Sequence, residues 1–205
     1  MGDLKCVWEI PAILGEGPLW VERENALYWV DVVGKQVHRL SLADGGKKSW
    51  NFDTEVTSLA PRKQGGFIGT VRHGFAFFDF SSDVVKPQLI VSFETDIPGN
   101  RFNDGKADAQ GCVWVGTLHE PKDRPAAALY RWAHGEIECM AEGITTSNGL
   151  AWSPDQHTLY WADTPSHTVW AWDFDSATTA MTTQRVFARF APKPEGWVAD
   201  PQCSD

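Results

Sequence analysis

The sequence has few cysteines, and their spacing does not indicate a zinc site or a disulfide framework. Four cysteines occur among 205 residues, at positions 6, 112, 139 and 203, with no CxxC pair. Structural zinc sites and disulfide-stabilised small domains need closer or paired spacings. The sequence therefore predicts buried free thiols, which are typical of proteins in a reducing compartment.

Long apolar runs and clusters of basic residues are also missing. No N-terminal stretch reaches the length of a signal peptide, and no run approaches that of a membrane span. The formal net charge is −9 and Lys and Arg do not cluster, which makes nucleic acids and anionic membranes poor partners. We therefore expect a soluble, cytoplasmic protein that binds neither nucleic acid nor membrane.

Several common catalytic signatures are absent. The sequence contains no GxSxG elbow, no HExxH motif, no phosphate-binding glycine loop, and its six histidines do not cluster at ligand spacing. No segment shows a convincing helical period either. Any chemistry must therefore come from isolated polar residues in a chain of strands and turns.

What the sequence has instead is an aromatic-rich repeat. The sequence LYWVD at 27–31 returns as LYWAD at 159–163, which is 132 positions later. Two weaker copies end at Thr70 and Thr117 between them. A period of about 44 residues, made of short strands that end in turns, is typical of a β-propeller. The fold class is therefore predicted to be all-β, a β-propeller.

The length of the repeat predicts how many blades the chain contains. Four blades of three recognisable strands each are expected over 16–48, 57–82, 103–135 and 148–177, and the first strand of a fifth at 194–198. We interpret residues 1–205 as a single, incomplete propeller domain that is truncated at its C-terminal end. Because an open ring leaves blade edges bare, we also expect self-association.

Three ordered motifs resemble the SMP-30/gluconolactonase (regucalcin-like) family. They read LGEGPLW at 14–20, RFNDGK at 101–106 followed by GT at 116–117, and SNGLAWS at 147–153. The resemblance covers essentially the whole chain. It implies a propeller of the six-bladed type with one divalent metal ion in its central channel. It also implies metal-dependent hydrolysis of sugar lactones to aldonic acids, which would make the protein a carboxylic ester hydrolase.

The resemblance also implies metal-ligand positions. Glu16 and Asn148 match two ligand positions of the family, and Glu195 stands where the family has an aspartate ligand. Glu195 is therefore expected to be the third ligand and the catalytic base. Carboxylate and amide oxygens suit Ca²⁺, Mg²⁺ or Mn²⁺ and also accommodate Zn²⁺. Such an ion can polarise a lactone carbonyl and acidify a water, whose proton a carboxylate can accept.

Substrate contacts are implied in the same way. Arg101 and Asn103 match substrate-binding positions, and Glu120 lies near the acidic contact of the family. Arg101 would bind sugar hydroxyls or the negative charge that develops during ring opening.

Other interpretations of these residues remain open. Glu16 precedes a Gly-Pro pair, and Asn148 and Asn103 belong to common turn sequences, so each could be an ordinary turn residue. The LYWVD and LYWAD segments also resemble the YWTD repeats of receptor propellers, which are binding scaffolds without a shared metal site. A third possibility is an inactive, truncated member of the lactonase family.

Overall fold

Residues 5–192 are described by a computed structural model, which folds them into four antiparallel sheets of four strands each. In every sheet the strands pair in chain order, as in the blades of a propeller. The innermost strands of successive blades pack beside one another. The prediction of an all-β propeller with four blades is confirmed, whereas the segment expected to begin a fifth blade lies outside the described residues.

Each blade begins with the strand nearest the channel and ends with the outermost strand. Blade one consists of β1 (Gly15–Val21), β2 (Ala26–Asp31), β3 (Gln36–Ser41) and β4 (Lys47–Asn51). Blade two consists of β5 (Val56–Pro61), β6 (Phe67–Val71), β7 (Gly74–Phe78) and β8 (Gln88–Ser92). Blade three consists of β9 (Asn100–Ala107), β10 (Val113–His119), β11 (Ala127–Ala133) and β12 (Glu136–Ile144). Blade four consists of β13 (Ser147–Trp152), β14 (Thr158–Asp163), β15 (Thr168–Asp175) and β16 (Ala180–Arg189).

Two single turns of 3-10 helix, Glu22–Glu24 and Thr164–Ser166, are the helical segments among residues 5–192. Over the same residues, no helix has the length and apolar character needed to span a membrane. The connection 120–126 between β10 and β11 is longer than the other two connections within blade three.

The outermost strands β8, β12 and β16 lie outside the ranges predicted for their blades. Their side chains are mostly exposed or half-buried, with ten consecutive residues of β16 containing no buried position. A strand that covers no core has no reason to alternate apolar and polar residues. The sequence pattern therefore stops at the third strand, although the hydrogen-bonded sheet continues.

The core is divided into three layers, one between each pair of neighbouring blades. Tyr28 and Phe67 belong to the layer between blades one and two. Phe75 and Phe102 pack edge to face in the layer between blades two and three. Trp114 belongs to the third layer, between blades three and four. The aromatic excess of the sequence is thus used mainly to fill the spaces between blades.

All four inner strands contain a register shift close to their beginning. In β1 the shift comes directly after Glu16, and in β13 directly after Asn148. Gly17 and Gly149 follow at φ +57° and +61°, a left-handed conformation that favours glycine. A β-bulge bends its strand and redirects side chains, and bulges are frequent beside active sites. The same device therefore orients the residue before each glycine.

The aspartate of the repeat fixes the segment that leads into the inner strand. The Asp31 carboxylate accepts hydrogen bonds from the N–H groups of Ile13 and Leu14, both at 2.9 Å. Asp163 accepts one from Thr146 N–H at 3.0 Å, ahead of β13. Burial alone would raise the pKa of Asp31, but its bonds to backbone N–H groups outweigh this and lower the pKa. Each aspartate thus positions the strand that carries Glu16 or Asn148.

The three cysteines within the described residues are free thiols. Cys6 and Cys139 are exposed and Cys112 is half-buried. The expectation of buried thiols is therefore wrong for Cys6 and Cys139, which lie on the N-terminal segment and on the exposed outer strand β12.

Candidate functional site

The predicted site residues lie at one end of the channel, which we call the mouth. Glu16, Arg101 and Asn148 are each the second residue of an inner strand, in blades one, three and four. Glu16 and Asn148 therefore belong to strands and not to the turns that their local sequences also suggested. Because neighbouring inner strands pack together and begin at the same end, residues separated by up to 132 positions are brought to one opening.

Glu16 and Asn148 line the same cavity between the inner strands. Its volume is about 500 Å³, and strands of all four blades contribute to its wall. Asp104, from β9, lines this cavity as well. Two residues with a carboxylate and one with an amide therefore line one open cavity, and oxygen donors of these kinds are the ligands that hard divalent cations prefer.

Asp104 is a functional candidate that the sequence analysis did not single out. Its Oδ2 accepts a hydrogen bond of 2.8 Å from Gly149 N–H, the residue after Asn148. Burial raises the pKa of Asp104, although bonds from backbone N–H groups oppose the shift. Asp104 thus supports the bulge that presents Asn148. Its place inside the RFNDGK motif was the available signal, but the Asn-Asp-Gly triplet also indicates a turn.

Arg101 and Glu120 form an ion pair within a larger group that we call the arginine network, made of Glu55, Arg72, Arg101 and Glu120. Arg101 Nε lies 3.3 Å from Glu120 Oε1. Arg72 contacts both oxygens of Glu120, with Nη1 at 3.2 Å from Oε1 and Nη2 at 2.5 Å from Oε2. Arg72 Nη1 also donates to Glu55 Oε1 at 3.0 Å. The network joins blades two and three at the mouth.

Three members of the arginine network, Arg72, Arg101 and Glu120, have shifted pKa values. The hydrogen bond from Arg72 is the main cause of a lowered pKa for Glu120, and the reciprocal bond raises the pKa of Arg72. Burial lowers the pKa of Arg101, partly opposed by the charge of Glu120. The side chain of Arg101 is only 9% exposed, so its charge depends on Glu120 for compensation.

Asn103 connects the arginine network to the cavity. Its Oδ1 accepts from Arg101 Nη1 at 3.2 Å, and its Nδ2 donates to Ser147 C=O at 2.8 Å. Ser147 directly precedes Asn148. This close approach of blades three and four requires Gly116, since a Cβ there would lie 1.7 Å from Ser147 Oγ. The arrangement thus links the predicted substrate residues to a predicted metal ligand through one side chain.

Arg72 and Glu55 are not among the residues predicted from the sequence. Glu55 precedes β5 and Arg72 follows β6, so both lie at the mouth end of blade two. No motif marks them, and only the packing of blade two against blade three reveals their partners. His119, by contrast, is a buried structural residue that bonds Asn100 Oδ1 through Nδ1 at 2.8 Å.

The oxygen donors in the cavity are compatible with a divalent metal ion. Glu16 and Asn148 line one cavity with Asp104, while Glu195 lies outside residues 5–192. Within those residues, no three His, Cys, Asp or Glu side chains are grouped so that they could hold a metal ion. A site here would need Glu16, the amide of Asn148 and a further donor.

Comparisons with known proteins agree with the motifs. A sequence model of a family described as SMP-30/gluconolactonase/LRE-like region matches residues 14–203. A 6-deoxy-6-sulfogluconolactonase of Pseudomonas putida is 37% identical over 201 residues, which cover 96% of this chain and 68% of that protein. Regucalcin of Gallus gallus is 32% identical over 209 residues, covering 98% and 68%.

A solved structure gives the same result. The crystal structure of a calcium-binding protein, regucalcin, from Agrobacterium tumefaciens matches with a TM-score of 0.82 and 27% identity. The match covers 88% of this chain and 61% of that one. The chain therefore spans about two thirds of the length of the relatives it matches.

Proposed function

The chain belongs to the SMP-30/gluconolactonase/LRE-like family, and from this we propose that it takes part in the metal-dependent hydrolysis of sugar lactones to aldonic acids. The observation that supports the proposal most is the meeting of Glu16, Asn148 and Asp104 in one cavity, next to a buried arginine. Relatives named as a sulfogluconolactonase and as a putative sugar lactone lactonase support the substrate class.

We assign the metal to Glu16, Asn148 and Glu195, as the family resemblance implies. Bound there, a divalent cation would supply a Lewis acid for the lactone carbonyl and would lower the pKa of a water. Calcium is supported by the regucalcin relative described as calcium-binding, and Zn²⁺, Mn²⁺ and Mg²⁺ are compatible with the same donors. Glu195 is assigned as the base that accepts the proton of the attacking water.

Arg101, Asn103 and Glu120 are assigned to the sugar. The guanidinium of Arg101 is held against Glu120 and Asn103, so donors are fixed in place before a substrate arrives. Fixed donors stabilise negative charge on the ring and carbonyl oxygens without reorganisation during the reaction. The free thiols of Cys6, Cys112 and Cys139 support a reducing compartment, and we place the reaction in the cytoplasm.

The test is hydrolysis of a panel of aldonolactones, including one that carries a sulfonate, before and after chelation and with Ca²⁺, Mn²⁺ or Zn²⁺ added back. We expect activity to disappear on chelation and to return with metal. Glu16→Gln should lower kcat/KM by at least about 100-fold because a carboxylate ligand is lost. Glu22→Gln, which alters an exposed glutamate just beyond the opposite end of β1, is the control and should leave activity unchanged.

Calorimetric metal binding completes this test. Glu16→Gln should weaken the binding of the activating metal, and Glu22→Gln should not. Retention of metal by a folded sample that hydrolyses no lactone in the panel would contradict the proposed reaction. Equal activity of Glu16→Gln and the parent chain would contradict the assigned site.

A further inference from the structure

Arg72 is the residue on which the arginine network depends. It follows β6 at the junction of blades two and three, and its main chain joins the two blades. Its carbonyl accepts a hydrogen bond from Phe102 N–H at 3.0 Å, while its own N–H donates to Glu55 C=O at 3.1 Å. Its side chain then reaches Glu55 and both oxygens of Glu120. Main chain and side chain thus fix the guanidinium relative to both blades.

Glu120 is held mainly by Arg72. Three charged contacts to its carboxylate are described, and Arg72 makes two of them as a bidentate pair. The third is the 3.3 Å contact to Arg101 Nε. Glu120 begins the connection to β11 and its side chain is 40% exposed, so little packing restrains it. Without Arg72, one single contact would have to hold a carboxylate at the surface, where isolated ion pairs are weak.

Arg101 in turn depends on Glu120. Its side chain is 9% exposed and has a lowered pKa through burial, so its charge needs a fixed carboxylate nearby. Its Nη1 is directed to Phe102 C=O and Asn103 Oδ1, while Nε faces Glu120. A displaced Glu120 would leave this buried guanidinium without its ion-pair partner and held through Nη1 alone.

We propose that Arg72 is a positioning residue for the sugar site: its fork holds Glu120, and Glu120 holds Arg101 in the orientation that meets a lactone. The part that concerns lactones rests on the proposed function. The orientation of Arg101 is a property of the chain itself and can be tested separately. Arg72 acts through Glu120 and is not assigned a contact with the substrate.

The geometry requires arginine at position 72. Three contacts to two carboxylates diverge from one planar guanidinium, and a lysine ammonium cannot reproduce this bidentate fork. Arg72→Lys should therefore preserve the positive charge but hold Glu120 less firmly than arginine does. Its effects on Arg101 should be smaller than those of Arg72→Gln.

The first experiment observes Arg101 directly. In ¹H–¹⁵N spectra of the whole chain, we expect the Nε–H of Arg101 to give a resolved, slowly exchanging signal, assigned with Arg101→Lys. Arg72→Gln should speed its exchange with solvent by about tenfold or more, since a charge-assisted contact is lost. In Arg72→Lys the exchange rate should lie between that of the parent chain and that of Arg72→Gln. The control is Arg185→Gln, which removes an ion pair with Asp173 on the outer strands of blade four and should change nothing at Arg101.

The second experiment measures turnover. For a lactone that the parent chain hydrolyses, Arg72→Gln should raise KM by about tenfold and change kcat less than about threefold, since binding of the sugar is affected before the chemical step. Arg72→Lys should again be intermediate and Arg185→Gln unchanged. A uniform loss of kcat caused by fewer folded molecules would not give this split.

The two readouts separate failure of this inference from failure of the proposed function. A chain without lactonase activity whose Arg101 signal responds as described would overturn the reaction but support the positioning role. An Arg101 signal unchanged in folded Arg72→Gln would overturn the positioning role. If Arg72→Gln does not fold, Glu120→Gln removes the bridging charge instead, and an unchanged Arg101 signal there has the same meaning.

Discussion

Blades one and four contain the same Tyr-Trp pair, but a different member of the pair is buried in each blade. In blade one Tyr28 is 2% exposed, whereas Trp29 is half-buried. In blade four Trp161 is 1% exposed, whereas Tyr160 is half-buried. Successive side chains of a strand point to opposite faces of its sheet. The tyrosine therefore faces the following blade and the tryptophan faces the preceding one.

The difference shows that a neighbouring blade, and not the repeated sequence, decides which residue is buried. Tyr28 packs on Phe67 of blade two, and Trp161 belongs to the layer between blades three and four. On the other faces, Trp29 is covered by Trp8 of the N-terminal segment, with ring centroids 5.2 Å apart. Tyr160 is covered by Phe187 of its own blade.

The largest expected effect comes from exchanging the paired tryptophans for alanine. Trp161→Ala removes a buried ring and its 2.7 Å hydrogen bond to Ser147 Oγ, and should lower the free energy of unfolding by about 3–5 kcal/mol. Trp29→Ala removes a half-buried ring and should cost about 1–2 kcal/mol. Urea unfolding of both variants measures the difference.

Equal losses in the two tryptophan variants would contradict the idea that neighbouring blades determine burial. Trp161→Phe serves as a further control because it retains most of the apolar ring and removes the indole N–H. Its free energy of unfolding should fall between those of the parent chain and Trp161→Ala, since one hydrogen bond is worth about 1 kcal/mol and a smaller ring leaves a partial cavity.

A second comparison concerns the repeated aspartates. Asp31 uses both carboxylate oxygens to accept three backbone N–H groups, so Asp31→Asn must leave at least one of them unpaired, at a cost of about 1–3 kcal/mol. Asp163 receives Thr145 and Thr146 on the single oxygen Oδ1. An asparagine can retain both, so Asp163→Asn should cost less than about 1 kcal/mol. Thermal or urea unfolding at pH 7 tests this order.

The difference in unfolding free energy between the parent chain and Asp31→Asn should depend on pH in a defined direction. The pKa of Asp31 is lowered in the folded chain, so its stabilisation is complete above the unfolded pKa of about 3.9 and is lost as the pH falls through the folded value. The gap between the parent chain and Asp31→Asn should therefore be constant from about pH 7 to pH 5 and narrow below about pH 4. A gap that widens in acid would contradict the assignment.

Much of the fold could be predicted because the repeated sequence marks equivalent strands in different blades. The aromatic pair and the closing aspartate mark the first three strands of blades one and four, and the period then predicts the blades between them. The outer strands β12 and β16 could not be predicted, since exposed side chains such as Glu138 and Arg185 obey no apolar pattern. The bulges after Glu16 and Asn148 could not be predicted either, because the sequence does not distinguish a glycine at a strand bulge from a glycine in a turn.

The candidate site was predictable where single residues stand in recognisable motifs. Glu16, Arg101 and Asn148 fall at the mouth, and Asn103 links Arg101 to Ser147, the residue before Asn148. Arg72 and Glu55 belong to the same mouth but could not be found, because their importance lies in contacts between blades that are remote in sequence. Glu195 stays a prediction from resemblance.

The smallest expected effect on stability concerns the face of blade four that carries Phe187, against which no other blade packs within residues 5–192. Phe187 and Phe190 are each 63% exposed, and exposed aromatic side chains of this kind promote association. We expect the purified chain to self-associate through this face and through the edge of β16, which pairs with no further strand among residues 5–192. Phe187→Ser should shift the molecules toward monomer in light scattering while changing the free energy of unfolding by less than about 1 kcal/mol, since this ring is mostly in water already.

Leu42→Ser is the matched control, because Leu42 is 58% exposed but lies in the turn after β3 of blade one. It should leave the mass distribution of the parent chain unchanged. A monomeric parent chain that unfolds cooperatively would contradict self-association, and equal effects of the two substitutions would assign it to general surface hydrophobicity instead of blade four. If blade four alone responds, the contrast with blade one has a simple cause: Trp8 covers the Trp29 face, whereas Phe187 covers Tyr160 and remains exposed itself.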